Sequence, residues 1–445
     1  MRFLFLLTVY TTALSAQTDF ELFLDLLRDD EEKKLAAVET IVNGNDTSRW
    51  AALVDLLYFR ALPAEAHELM NRAASVDYGR NWPRWMEWIA LQSQPAGREY
   101  RRFKQLLFSQ IDPAFSAFLN PSLPTEIRWE EIAWGGVKKD GIRSLDNPPM
   151  ESAAEADYLQ DSEPVFGVYI NGEAMAFPLR ILDWHEMANV RIGGEPVALS
   201  YCTLCGAAIA YLARFNGTVY SFGSSGLLYR SNKLMYDRQT NSLWSAMKGI
   251  PVTGILAGRG VKLSTFPVER TRWRDWRERH PGTRVLSDNT GLRSVYKRYS
   301  GYYRYFNSPG LMFPVAQRDN RLPAKSWVYG LSHRGRFKAW PLPRLEARPV
   351  LNDSLAGTGF VLLSDPGALS VRVYLSGGEN FSAVDDQTLK DREGRLWQIR
   401  DSALVAPDGE SLPRYPGHLA YWFAWYAFFP ETELYDGADP DKPGD

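Results

Sequence analysis

Cysteine is almost absent from this chain. There are two in 445 residues, Cys202 and Cys205, set three apart. A disulfide framework ties distant segments and uses more cysteines, so none holds this fold. A bridge across so small a ring would add little stability. Histidine is scarce as well, with five residues. Excess charge of one sign is missing, with 51 Lys and Arg against 53 Asp and Glu. That balance gives no electrostatic reason to expect nucleic acid or an anionic membrane as partner. Beyond residue 16 no apolar run is long enough to span a bilayer.

The one clear apolar run is Phe3 to Leu14, which follows Arg2 and leads to Ala13-Leu14-Ser15-Ala16. This is the pattern of a cleaved export signal over residues 1–16. The expected mature protein is exported, periplasmic or secreted, with no membrane span. In an oxidising compartment a lone CxxC points to reactive or metal-ligating thiols rather than to structural ones.

What the chain has in plenty is aromatic bulk: 13 % of residues, with 15 Trp. With 45 % hydrophobic and 23 % charged residues, it reads as a globular protein with sizeable cores. Residues 17–125 carry helical spacing, as in Phe20, Phe23, Leu24 and Leu27, broken by turn signals such as Asn81-Trp82-Pro83. Trp82, Trp85 and Trp88 there are expected in a core. From about 130 the texture becomes β-like. Val165 to Ile170, then Asn171-Gly172, then Ala174 to Pro178 reads as a hairpin. The same grammar returns later. Gly167 through Pro178-Leu179 corresponds to Gly330 through Pro341-Leu342, and Asn189 to Asn352. Asp237-Arg238 with Leu243-Trp244 corresponds to Asp391-Arg392 with Leu396-Trp397. The expected fold is α+β, mainly β. It has a small all-helical domain (17–125), a β-rich lobe with the CxxC (130–300), a degenerate second lobe (301–436) and a polar tail (437–445). The cysteines occur in the first copy alone, and His185 corresponds to Arg348.

Cys202-x-x-Cys205-Gly206 permits dithiol–disulfide cycling, soft-metal binding or nucleophilic attack. It is not followed by His, which excludes the usual haem-attachment sequence. A hairpin is expected to follow it, which disfavours a thioredoxin-type placement at a helix start. His185 lies shortly before the cysteines and could tune a thiolate or complete a Cys2His copper or zinc site. Glu186, Asn189, Ser225, Tyr229, Asn232, Asp237 and Arg238 are the candidate walls of such a site. Ser224 to Asn232 reads as a polar, glycine-containing turn, and Met235 as core.

Taken together, several runs resemble the bacterial domain-of-unknown-function 3179 family. They are Asp140 to Asp146, Trp184-His185-Glu186 with Asn189, Tyr201-Cys202-x-x-Cys205-Gly206, Gly226 to Asn232, Met235 to Arg238 and Ser242 to Ser245. The resemblance covers roughly residues 130 to 436. Some relatives resemble selenoproteins with selenocysteine in the CxxC, which implies redox or nucleophilic use of this loop. Three readings follow. The first is an exported thiol-redox protein using Cys202, Cys205 and His185 with an unknown redox partner or small ligand. The second is a copper or zinc protein with the same three ligands. The third is a non-catalytic binding module.

Overall fold

Thr18 opens the ordered chain with a reciprocal cap. Its hydroxyl accepts from the Glu21 amide while the Glu21 carboxylate accepts from the Thr18 amide. The computed structural model describes residues 18–298, 301–365 and 367–437. The signal-like segment 1–16, and all of the tail but residue 437, lie outside them. Helices Asp19–Asp25, Glu31–Asn43, Trp50–Tyr58, Ala64–Ala74, Trp82–Ala90 and Arg98–Ser109 form the N-terminal unit. Trp85 is fully buried, and Trp50 packs on Trp88 with ring centres 4.9 Å apart, so this aromatic stripe is core. Lys104, with no exposure, joins this unit to the next. Its ammonium donates to Asp55 at 3.0 Å and to the Ile132 carbonyl at 2.6 Å. Ile132–Trp134 is itself a strand, paired antiparallel with Phe222–Tyr229.

The first β-rich lobe begins with the hairpin Pro164–Ile170 and Glu173–Pro178, closed by Asn171 and Gly172 at positive φ. Helix Leu179–His185 follows, then the antiparallel strands Met187–Ile192, Glu195–Cys202 and Ala207–Leu212. A further sheet runs Ile132–Trp134, Phe222–Tyr229, Asn232–Asp237, Leu243–Ser245, Ile250–Thr253. Helix Trp273–Arg279 packs behind the hairpin. A Cβ on Gly167 would lie 2.2 Å from the Trp276 ring, so only glycine lets that indole approach.

The second lobe runs hairpin Trp327–His333 and Arg336–Pro341, helix Leu342–Glu346, strands Val350–Leu355, Thr358–Asp365 and Ser370–Leu375, and helix Trp422–Phe428. A Cβ on Gly330 would lie 2.1 Å from the Trp425 ring. Asn352 brackets both backbone groups of Phe381, as Asn189 brackets those of Phe222. Asp391 accepts from the Trp397 indole at 2.9 Å, as Asp237 does from Trp244 at 2.8 Å. The whole is an α+β fold with a helical N-terminal region and a β-rich remainder. One apolar core continues from the helices, through the Phe222–Thr253 sheet, to helix Trp422–Phe428. Among the described residues no helix is long and apolar enough to cross a membrane.

The lobes clasp each other. The Tyr421 amide donates to the Cys205 carbonyl at 2.9 Å. Elsewhere along the junction Arg270 donates to the Ala368 carbonyl at 3.3 Å, in the other direction, and Ser370 donates to Glu269 at 2.7 Å.

Two local expectations are amended. The expected hairpin after the CxxC is present, as a short ladder of Arg214–Phe215 with Thr218–Val219 around Asn216-Gly217, but the CxxC also forms a hairpin turn itself: Cys202 pairs with Ala207, and the four residues between them reverse the chain. Ser224 to Asn232 is not an open turn. It is a buried strand carrying a bulge at Ser225–Leu227, followed by a two-residue reversal at Arg230-Ser231. The serines and Gly226 mimic loop composition because a bulge needs the same small, turn-tolerant residues.

Candidate functional site

The thiol site is built where two reversals meet. In the first, Gly206 at φ +65° lets strand Glu195–Cys202 return as Ala207–Leu212, leaving Cys202 and Cys205 on one side of the turn. A Cβ at Gly206 would collide with the Trp327 ring at 2.4 Å, so the second lobe sits directly on this turn. In the second, Arg230 and Ser231 both take left-handed backbone, φ 51° and 60°. Left-handed backbone costs a non-glycine residue roughly 1–2 kcal/mol. The reversal is anchored by Arg230, which binds Glu131 at 2.8 and 3.2 Å and the Ala427 carbonyl at 2.9 Å. It delivers Asn232 and the Ser231 carbonyl to the sulfur of Cys205, at 3.2 and 3.5 Å.

Both cysteines are free and buried, with 3 % and 0 % exposure, and their sulfurs lie 3.0 Å apart. They differ in acidity. Burial pushes the Cys202 thiol up, but the hydrogen bond shared with Cys205, the Lys233 amide and the Lys233 ammonium outweigh it. The net shift is down. Burial and the same sulfur–sulfur hydrogen bond push Cys205 well up. Of the two sulfurs, Cys202 is the one that gives up its proton more readily.

A buried ion pair stands beside them. Glu186 ends helix Leu179–His185 in left-handed backbone, φ 54°. Its carboxylate accepts from Thr203, inside the CxxC, at 3.2 Å, and lies 4.0 Å from the Lys233 ammonium. That ammonium also donates to the Glu186 carbonyl. Burial raises the Glu186 pKa and lowers that of Lys233. Above the turn, the Tyr305 hydroxyl donates to the Leu204 carbonyl at 2.7 Å. The Tyr302 hydroxyl is pushed to about 12 by burial and by the nearby charges of Glu186, Asp183 and Cys202.

The structure brings Cys202, Cys205, Glu186 and Asn232 together. His185 is held elsewhere, because the left-handed turn at Glu186 sends the two side chains apart. Its Nδ1 lies 2.6 Å from the Arg143 carbonyl and its Nε2 meets the Tyr296 hydroxyl, so both ring nitrogens are engaged away from the sulfurs. Among the described residues no three His, Cys, Asp or Glu side chains converge as a metal site would require. Asn189 and Arg238 tie Phe222 to Asp146, and Arg238 also reaches Ser144. Asp237 caps Thr240 and Trp244. Ser225 closes the bulge through Leu227 and Leu234, and Tyr229 packs edge-on to Phe428. These five hold the frame.

Sequence reasoning missed Lys233 and Thr203. Thr203 was in view, inside the motif. Lys233 follows Asn232 directly, and the signal was a cation set immediately before the apolar run Leu234-Met235-Tyr236.

No curated protein and no solved structure matches this sequence. A family model does, over residues 139–432, which takes in both β-rich lobes, the thiol turn and the Glu186–Lys233 pair. The chain therefore belongs to the protein family of unknown function DUF3179.

Proposed function

We propose that this is an exported thiol–disulfide exchange protein in which Cys202 attacks and Cys205 resolves. The observation that carries the reading is the sulfur pair itself: 3.0 Å apart in one tight turn, with opposite shifts in acidity. That is the asymmetry a two-step exchange needs. The Cys202 thiolate attacks one sulfur of a substrate disulfide, whose other sulfur leaves as a thiolate. The Cys205 thiol then gives its proton to that departing thiolate and attacks Cys202, expelling the second substrate sulfur. Two electrons pass to the substrate disulfide, and Cys202 and Cys205 end bonded to each other. The role expected of His185 passes to Lys233, whose ammonium and amide favour the thiolate. Export rests on the residue 1–16 pattern.

The lobes are read as two copies of one unit. In support stand the paired glycine–indole contacts, the paired Asn brackets and the reciprocal clasp. On this reading the first copy keeps the thiols and the second covers them.

The test is equilibration of the folded protein in buffers of graded thiol–disulfide ratio, quenched with acid, alkylated after denaturation and weighed. Two thiols should convert cooperatively to a disulfide, and the exchange rate should collapse in Cys202→Ser. A pair that stays reduced in every buffer, or oxidises only when unfolded, would overturn the reading.

A further inference from the structure

A second site lies at the other half of the interlobe clasp. There the lobes leave a cleft of about 820 Å³, walled by Glu269, Thr271 and Arg279 on one side and Ser364, Asp365 and Arg372 on the other. Clefts of a few hundred to a thousand Å³ at domain junctions, with a few convergent polar groups, are the usual form of a small-ligand site. This one holds neither cysteine, and its case is independent of the thiol reading.

Most charges at its floor already satisfy one another. Arg279 binds Glu269 at 2.7 and 3.1 Å and Asp401 at 3.2 Å. Arg414 binds Asp401 at 3.1 Å and Glu269 at 3.3 Å. His280 meets Asp401 at 3.0 Å, and Asp365 meets Arg272 at 3.3 Å. This network fixes the floor without using the whole of it. Two groups are left over. Thr271 is only 2 % exposed, yet its hydroxyl has no hydrogen-bond partner among the described residues. The Arg372 guanidinium is half-buried beside Glu269 and Asp365, and makes no hydrogen bond or ion pair among the described residues. A buried hydroxyl and a planar fork of donors facing one cavity are the recognition set for a carboxylate. At the rim the balance reverses: Glu278, Asp385 and Asp386 are exposed there against Arg400.

We propose that this cleft binds a small zwitterion of the amino-acid or short-peptide kind. Its carboxylate sits on Arg372 and Thr271, and its ammonium points out to the rim acids. A ligand with only hydroxyls would leave the Arg372 donors unmatched. A dianion would meet the rim carboxylates.

The experiment is calorimetric titration of the full chain with tri-alanine, with its C-terminal amide, with its N-acetyl form and with maltotriose. Tri-alanine should bind, and removing either terminal charge should weaken binding roughly tenfold or more, the usual effect of losing a charge-assisted hydrogen bond. Arg372→Met should weaken tri-alanine binding to a similar degree and Thr271→Val severalfold. Thr271→Val should leave the melting temperature nearly unchanged, whereas Arg372→Met should lower it somewhat near neutral pH, because Arg372 is one of the three cations that hold the Glu269 carboxyl down. Failure of tri-alanine to bind, binding of the amide as tight as the acid, preference for maltotriose, or an Arg372→Met variant with full affinity would each overturn the proposal. The capped ligands probe the native protein, so the result stands even if a variant folds poorly.

Discussion

Replacing Lys233 by Met removes the buried cation beside the thiols and keeps the chain's bulk. The ammonium lies 4.0 Å from the Glu186 carboxylate, and both side chains are under a tenth exposed. At an effective dielectric of about 20 such a pair interacts by roughly 4 kcal/mol. Breaking a buried pair from one side costs about 3–5 kcal/mol, because the other charge is left without a partner. The unfolding free energy should fall by that amount in a urea titration. The thiolate should respond too. The folded Cys202 pKa lies below its ordinary value partly through Lys233. Without the ammonium its titration, followed by ultraviolet thiolate absorbance, should move up. Between the two midpoints the native protein carries a thiolate and the variant a thiol. Glu186→Gln added to Lys233→Met should restore most of the stability, since no orphan charge remains, but should leave the thiolate titration high. A variant that loses stability while its Cys202 titration stays put would refute the reasoning. The low Cys202 titration would then depend on Cys205 and the backbone amide of residue 233, and the Lys233 ammonium would serve only Glu186.

His185→Phe should leave the Cys202 titration unmoved while costing about 1–3 kcal/mol for the polar partners it strands at Arg143 and Tyr296; an altered titration would return His185 to the thiol site. Gly167→Ala and Gly330→Ala should each destabilise by about 1–3 kcal/mol or more in thermal melts, because each methyl lands inside an indole; a neutral result at either would contradict the glycine–indole packing. Acid titration should show the clasp. The Glu269 carboxyl falls from 4.5 to about 2 against burial, chiefly through Arg279, Arg372 and Arg414. Its folded pKa is the lower one, so about 3 kcal/mol of stability is present above pH ~4.5 and is lost as pH falls toward ~2. Glu269→Gln should flatten that limb of the curve.

The hairpin at Asn171-Gly172 and the aromatic helices were legible because turn chemistry and apolar period act locally. The matched glycines and asparagines were legible because each makes a demand no other residue meets as well. The walls of the site were harder to read. Phe222–Tyr229 is buried along its whole length, so no alternation marks it as a strand, and its bulge residues imitate a loop. Lys233 breaks the habit that strand cations face water. His185 drew attention by its place in the sequence, but one left-handed residue is enough to turn neighbours to opposite sides. Nearness along the chain carries no information across such a turn.

The hydrogen bond from Tyr421 to Cys205 also sets a timetable. The partner that closes over the thiol turn is made more than two hundred residues later. At synthesis rates of about 5–20 residues per second, that delay is on the order of 10–40 s. Through that interval Cys202 and Cys205 are on a nascent chain whose cover is incomplete, since Tyr305 and Trp327 come earlier but the Tyr421 strand last. Their first oxidation state is therefore set by whatever thiol chemistry surrounds the growing polypeptide, before the finished fold shuts them in.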